Sequence, residues 1–219
     1  MQVRRSVSVS ISAALLLGLA TLFAAPARAA EATFNPIKDN TLYEPIVKHS
    51  LQIRSNGAGV TMYTGRVKDA LNSTGQVAVR RGVLAFNLAS IPPGSTINSV
   101  TLRMQVTKAA QNAGFNVNLH RLTTDWGEGA SNTGNSQQGR GEAAEPDDAT
   151  WEHTFFDTQF WATNGGDYAA GSSATLAVGG QGTYTWGSTA GMVADVQAWV
   201  DSPAGNFGWI LIGDETQNE

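Results

Sequence analysis

Residues 81–106, RGVLAFNLASIPPGSTINSVTLRMQV, constrain the fold of this chain more than any other stretch. Leu84, Phe86 and Leu88 alternate with Val83, Ala85 and Asn87. After a corner, Val100, Leu102, Met104 and Val106 alternate with Thr101, Arg103, Gln105 and Thr107. Successive side chains of a strand point to opposite faces, so the second run has one apolar face and one wet face. Pro92, Pro93 and Gly94 cannot continue a strand interior and set a loop between the runs. Half-buried antiparallel strands of this kind build a sandwich, not a nucleotide-binding α/β sheet.

The rest of the chain repeats the theme. After a lead-in over 31–40, strands are expected near 41–47, 51–54, 60–67, 81–88, 97–107, 115–122, 150–156, 175–178 and 183–186, with a loop at 71–76. Val193, Val196, Trp199 and Val200 recur at helical spacing between Gly191 and Pro203, which predicts one short helix. Residues 207–212 are apolar at every position except Gly208, as in a central strand covered on both faces. Regular short strands with turn signals between them give an all-β fold, a jelly-roll-type antiparallel β-sandwich with one short helix. Residues 125–148 hold Gly127, Gly129, Gly134, Gly139 and Gly141 without apolar periodicity. A loop this long inside a compact domain is functional or disordered.

The first residues read as a targeting segment. Arg4 and Arg5 precede an apolar stretch over 14–23, and Ala27, Arg28 and Ala29 form a cleavage site, so residues 1–29 are expected to be a signal peptide. The apolar stretch is shorter than the roughly 20 residues a membrane span needs. Residues 30–219 then form a single β-sandwich domain with no membrane span, secreted to the extracellular space or the periplasm and expected to be a monomer. Cleavage removes three of the 14 basic residues and none of the 18 acidic ones, from a chain already at net charge −4. So acidic a remainder is a poor partner for nucleic acid, whose phosphates require clustered Lys and Arg. The absence of cysteine excludes a thiol nucleophile and thiolate-bound zinc, and leaves stability to a core or a bound metal.

Four segments in order carry a family resemblance: KDNTLYE at 38–44, the 81–106 run, HRLTTDWGEG at 120–129 and NFGWILIGDE at 206–215. Together they resemble the DNRLRE-type domain, which is similar to carbohydrate-binding module family 96 and the disaggregatase-related domains. The resemblance spans nearly all of the chain after the leader. It implies polysaccharide binding, with uronate polymers such as alginate among the ligands, and one structural calcium ion. Members of the group continue beyond the position of Glu219 with another polar strand, so an exposed sheet edge is expected.

A search for catalysis finds little. His49, His120 and His153 form no H-x-x-x-H pair, and no G-x-S-x-G elbow is present. A glycosidase needs only two suitably spaced carboxylates, and Glu128, Asp147, Asp148 and Asp167 are candidates, but they fall in turn-rich loops where acidic residues serve the backbone. The oxygen-rich set Asp125, Glu128, Asp147 and Asp148 is compatible with calcium, against the alternative of a solvated acidic loop. Of the six tryptophans, Trp199 and Trp209 sit in apolar runs and belong to the core. Trp126 and Trp161, with nearby Tyr168, are expected at loop surfaces where sugar rings stack on aromatic planes. Arg54, Arg66, Arg80 and Arg81, if gathered on one face, would hold the carboxylates of an acidic polysaccharide; the alternative is a scatter of solvated charges. A secreted, non-catalytic carbohydrate-binding module is the first expectation. An adhesive or structural matrix module, binding protein or cell envelope, and a polysaccharide-degrading enzyme are the other two classes.

Overall fold

A computed structural model describes residues 1–14, 30–45, 53–68, 77–109, 112–134 and 138–216. The strands in chain order are β1 (Gln2–Ala14), β2 (Ala30–Phe34), β3 (Pro36–Tyr43), β4 (Arg54–Ser55), β5 (Thr61–Tyr63), β6 (Gly65–Lys68), β7 (Val77–Phe86), β8 (Thr96–Lys108) and β9 (Phe115–Arg121). They continue with β10 (Glu142–Ala143), β11 (His153–Phe155), β12 (Gln159–Phe160), β13 (Ala174–Val178), β14 (Gly182–Trp186) and β15 (Trp209–Ile212), and the α-helix is α1 (Ala190–Asp201). One sheet has the order β14-β8-β1-β2 with β5 also on β1. The other runs β13-β9-β15-β7-β3 with β6 also on β7, and every pairing is antiparallel. The all-β sandwich with one short helix is the observed architecture.

The alternation in β8 sets the inner core. Val100, Leu102, Met104 and Val106 are fully buried, while Arg103 is exposed. They meet Leu84 and Phe86 of β7, Val117 and Leu119 of β9, and Trp209 and Leu211 of β15. The helix closes one side of this core with Met192, Val196, Trp199 and Val200. Thr189 caps it, accepting a hydrogen bond from the Met192 N–H, which satisfies one of the unpaired donors of the first turn. Gly191 lies inside the helix rather than breaking it, because a Cβ there would sit 2.6 Å from the Ser173 carbonyl oxygen. Asp195 ties helix to sheet, accepting from Ser173 Oγ and from Trp209 Nε1 at 2.7 Å and pairing with Arg121 at 3.2 Å.

The unbroken apolar runs in β7 and β15 have a second cause. Val83, Ala85 and Ile210 point away from the inner core into another buried cluster with Leu42, Leu122, Trp126, Ala149 and Trp161. The six-stranded sheet is therefore covered on both faces: one by the partner sheet, the other by the segment after β9. That segment includes the glycine-rich stretch at 125–148, which packs as a layer; residues 135–137 lie outside the described residues.

Two sequence expectations change. The lead-in over 31–40 is strand: β2 and most of β3. Residues 2–14, inside the expected leader, form β1 within a sheet; residues 15–29, with the rest of the leader, lie outside the described residues. The expected loop at 71–76, His49 and the ends of the strands expected at 41–47 and 51–54 also lie outside them. No helix among the described residues is long and apolar enough to cross a membrane.

Candidate carbohydrate-contact surface

The layer over the outer face is pinned by its tryptophans. Trp126 is 1 % and Trp161 4 % exposed, which corrects the expectation that these two stand at the surface. Each satisfies its indole N–H as it buries the ring: Trp126 donates to the Phe207 carbonyl and Trp161 to the Thr150 carbonyl, both at 2.9 Å. A buried indole donor needs such a partner. The Lys38 ammonium stands 4.5 Å from the Trp126 ring centroid and pairs with Asp125 at 2.8 Å.

A small polar knot lies under the same layer. Asn40 donates to Ser55 Oγ and to the Glu128 carbonyl, both at 2.9 Å, and Ser55 donates to the Ala149 carbonyl. Asp39 N–H donates to Glu128 Oε1 at 3.1 Å. Buried Asp148 accepts from the Glu145 N–H through Oδ2, while its Oδ1 has no hydrogen-bond partner. Burial pushes the Asp148 carboxyl above the usual carboxylate range, against the opposing Glu145 bond. Two glycines make room for it. A Cβ on Gly57 would lie 1.6 Å from the Glu128 carbonyl oxygen and 3.0 Å from Asp148 Oδ1, and one on Gly129 would lie 1.8 Å from that same Oδ1.

The four residues expected to share a metal are thus separated by role. Asp125 is engaged by Lys38 and the Trp126 N–H. Asp147 is exposed, at a left-handed turn with φ 67°. Glu128 and Asp148 come together beside Gly57 and Gly129. Among the described residues no three His, Cys, Asp or Glu side chains converge as a metal-holding group.

The arginines do not form one patch. Arg80 and Arg81 are neighbours on β7 and point to opposite faces. Arg80 is buried over the Tyr43 ring and donates to the Val79 carbonyl at 2.8 Å. Arg54 is on the same side, donating to the Gly141 carbonyl at 2.9 Å. On the other side Arg81 makes two hydrogen bonds to the Glu215 carboxylate, at 2.7 and 2.9 Å, and Arg66 donates to the Thr216 carbonyl. Burial opposes the Arg81 charge, but the hydrogen bond and charge of Glu215 outweigh it and hold the guanidinium above its ordinary value. The reason is the strand period of two, which a count of arginines along the chain ignores.

Arg81 also organises aromatic rings. Its guanidinium lies 5.0 Å from the Trp151 centroid and 5.6 Å from that of Tyr168. Tyr168 is half-buried, with His120 on its other side at 5.2 Å. Gly165 packs on Trp151, where a Cβ would approach the indole to 2.9 Å. Neither ring offers an open face of the kind expected for Tyr168.

The aromatic that stands out is one the sequence reading passed over. Phe160, on the hairpin of β11 and β12, is 67 % exposed, the most exposed large apolar side chain among the described residues. Its ring lies 4.3 Å from His153, tilted by 34°, and His153 also meets Phe156 edge-on at 5.2 Å. His153 is fixed by the Thr150 hydroxyl at 3.0 Å from Nδ1. Asp157 turns the hairpin with φ 64°, a left-handed conformation that Asp tolerates better than most residues. The signal was the pair Phe160–Trp161: adjacent residues in extended backbone face opposite ways, so one aromatic inward sends the other outward. Comparison of the chain with protein-family models, with curated proteins and with solved structures gives no match.

Proposed function

We propose that this chain is a secreted, non-catalytic carbohydrate-binding module that holds its polysaccharide by stacking on the β11–β12 hairpin. The observation that carries the reading is Phe160, an exposed aromatic face held by buried His153 and by the anchored Trp161 next to it. Sugar rings present C–H faces that pack on such a plane, and a ring fixed before binding loses little entropy on contact. Two facts favour a neutral glycan over a uronate polymer. The four candidate arginines are split between two faces, and the Arg81 charge is already matched by Glu215.

The non-catalytic part rests on what the candidate carboxylates do. Asp167 accepts from the Ala162 and Thr163 N–H groups and from the Thr124 hydroxyl. Asp148 is buried, and Glu128 receives the Asp39 N–H. These are loop-holding roles.

One structural calcium belongs to the same proposal, centred on Asp148 and Glu128 rather than on Asp125 and Asp147. The orphaned, buried Asp148 Oδ1 beside the Glu128 carbonyl is the feature that suits it, since calcium takes carboxylate and carbonyl oxygens together. When bound, the ion would supply the countercharge that Asp148 lacks and tie the 125–134 segment to the 145–150 turn.

The deciding test is a pull-down on insoluble neutral and uronate polysaccharides, with intact protein and Phe160→Ala, scored with reducing-end release. Retention on a neutral polymer that Phe160→Ala loses, without sugar release, is expected. Release of reducing ends by the intact protein would overturn the non-catalytic reading.

A further inference from the structure

The strand that fills the middle of one sheet is made from residues that read as a leader, and this has a structural consequence. β1 pairs with β8 at ten positions, from Gln2↔Lys108 to Ala14↔Thr96, and on its other edge with β2 and β5. Ile11, opposite Val100, is fully buried in the inner core. Ser10 Oγ meets Thr33 Oγ1 of β2 at 3.4 Å. Residues 8–13, SVSISA, thus match their site by alternating apolar and small hydroxyl side chains.

We propose that the body from residue 30 onward carries an open, two-sided strand groove between β8 and β2, filled in the exported protein by a single extended segment of another polypeptide. The segment runs antiparallel to β8 and alternates apolar with small hydroxyl residues. The inference rests on cleavage after Ala29 and is independent of sugar binding. Cleavage removes β1, and with it the only strand that β2 pairs with among the described residues. One edge of β8 is then unpaired beside a fully apolar inner face, the arrangement that recruits an added strand.

The two-sidedness decides the occupant. A second copy offers the same β8 edge, but β8 already carries β14 on its other edge. A β8–β8 pair would have no edge left for β2. Only a segment unpaired on both edges fits between β8 and β2, as β1 does.

The test uses the full chain with a site-specific protease sequence in place of residues 20–26, purified folded and then cut. The probe is a labelled synthetic peptide of residues 2–14, QVRRSVSVSISAA. Cut protein should hold its own 1–14 segment through gel filtration, or take up the probe saturably once that segment is washed away; uncut protein should not take it up. A probe with Val9→Ser and Ile11→Ser should bind at least about tenfold more weakly, because it loses two buried apolar side chains. Amides of β8 should lose hydrogen-exchange protection without a strand and regain it with the probe. If cut protein unfolds, the probe should restore its β spectrum. The proposal is overturned if stripped protein keeps full β8 protection and takes up no probe, if it dimerises instead, if both probes bind equally, or if unfolded cut protein is not rescued. N-terminal sequencing of the exported protein reports on cleavage separately: an intact Met1 there removes the premise and leaves the groove measurement standing.

Discussion

Trp126 and Phe160 should respond to truncation in opposite ways. Trp126→Ala empties a fully buried site lined by Leu42, Val83, Leu122, Trp161 and Ile210. Truncating a core Trp costs about 3–5 kcal/mol. The change also strands the Phe207 carbonyl and removes the ring under Lys38, each worth on the order of 1 kcal/mol. A loss of roughly 4 kcal/mol lowers the midpoint of a domain this size by about 8–16 °C. Phe160→Ala touches a mostly exposed ring and should stay within about 0.5 kcal/mol, near 2 °C. Binding should reverse the order. An aromatic stack is worth about 0.5–1.5 kcal/mol, so Phe160→Ala should weaken polysaccharide affinity about 2- to 13-fold. Trp126→Ala, assayed well below its midpoint, should bind within about twofold of the parent, a change of less than 0.5 kcal/mol. Differential scanning calorimetry and depletion isotherms give both numbers. A Trp126→Ala protein with the parent midpoint and no binding would refute the reasoning, since it would make Trp126 a contact and not an anchor.

Chelator should lower the midpoint and added calcium restore it, by about 2.7 kcal/mol at a hundredfold excess over Kd, and Asp148→Asn should abolish that response. In chelator the sign reverses. Burial raises the folded Asp148 pKa, so its contribution is full below the ordinary carboxylate value near 4 and is lost as pH rises through the folded value. Asp148→Asn should then raise the midpoint at neutral pH and flatten the slope above about pH 4, and a lower midpoint in both media would sink the buried-carboxyl argument. Raising salt from low to physiological strength, and Arg81→Ala, should leave affinity for a neutral glycan nearly unchanged; a steep fall with salt would restore the uronate reading. Asp195→Ala should destabilise by about 3 kcal/mol, because it orphans Trp209 Nε1 and Ser173 Oγ in the core, and a midpoint within a degree of the parent would contradict it.

What the sequence revealed divides along a physical line. β8 was legible because one face is apolar and the other wet, and β15 because an unbroken apolar run means cover on both sides. β3 was not, since Asp39, Asn40 and Thr41 are buried polar residues, satisfied by partners far along the chain at 55, 128 and 149 that hydropathy cannot see. The 125–148 layer was hidden for a related reason: single anchors such as Trp126 hold irregular backbone without any period. The alternation at 8–13 was visible, but the leader pattern claimed the same residues. For the candidate site, the arginines and tryptophans were the right chemistry in the wrong geometry, because composition records neither strand parity nor which ring already has a partner.

Rigid presentation separates Phe160 from the other exposed apolar side chains, Ile37 and Val60. A lone surface hydrophobe is ordinary and needs no explanation. Phe160, however, projects from a hairpin whose base is fixed on several sides. The Trp161 N–H bonds the Glu152 carbonyl at 3.0 Å, the Trp161 indole bonds Thr150, and Asp167 holds the next two N–H groups. The cover over the outer face of the six-stranded sheet is what supplies those anchors. Burial of two tryptophans and exposure of one phenylalanine are therefore a single arrangement, in which the inward rings set the orientation of the outward one. A stacking contact worth only about 1 kcal/mol is useful only if little is lost in ordering it, and this layer does that ordering when the protein folds.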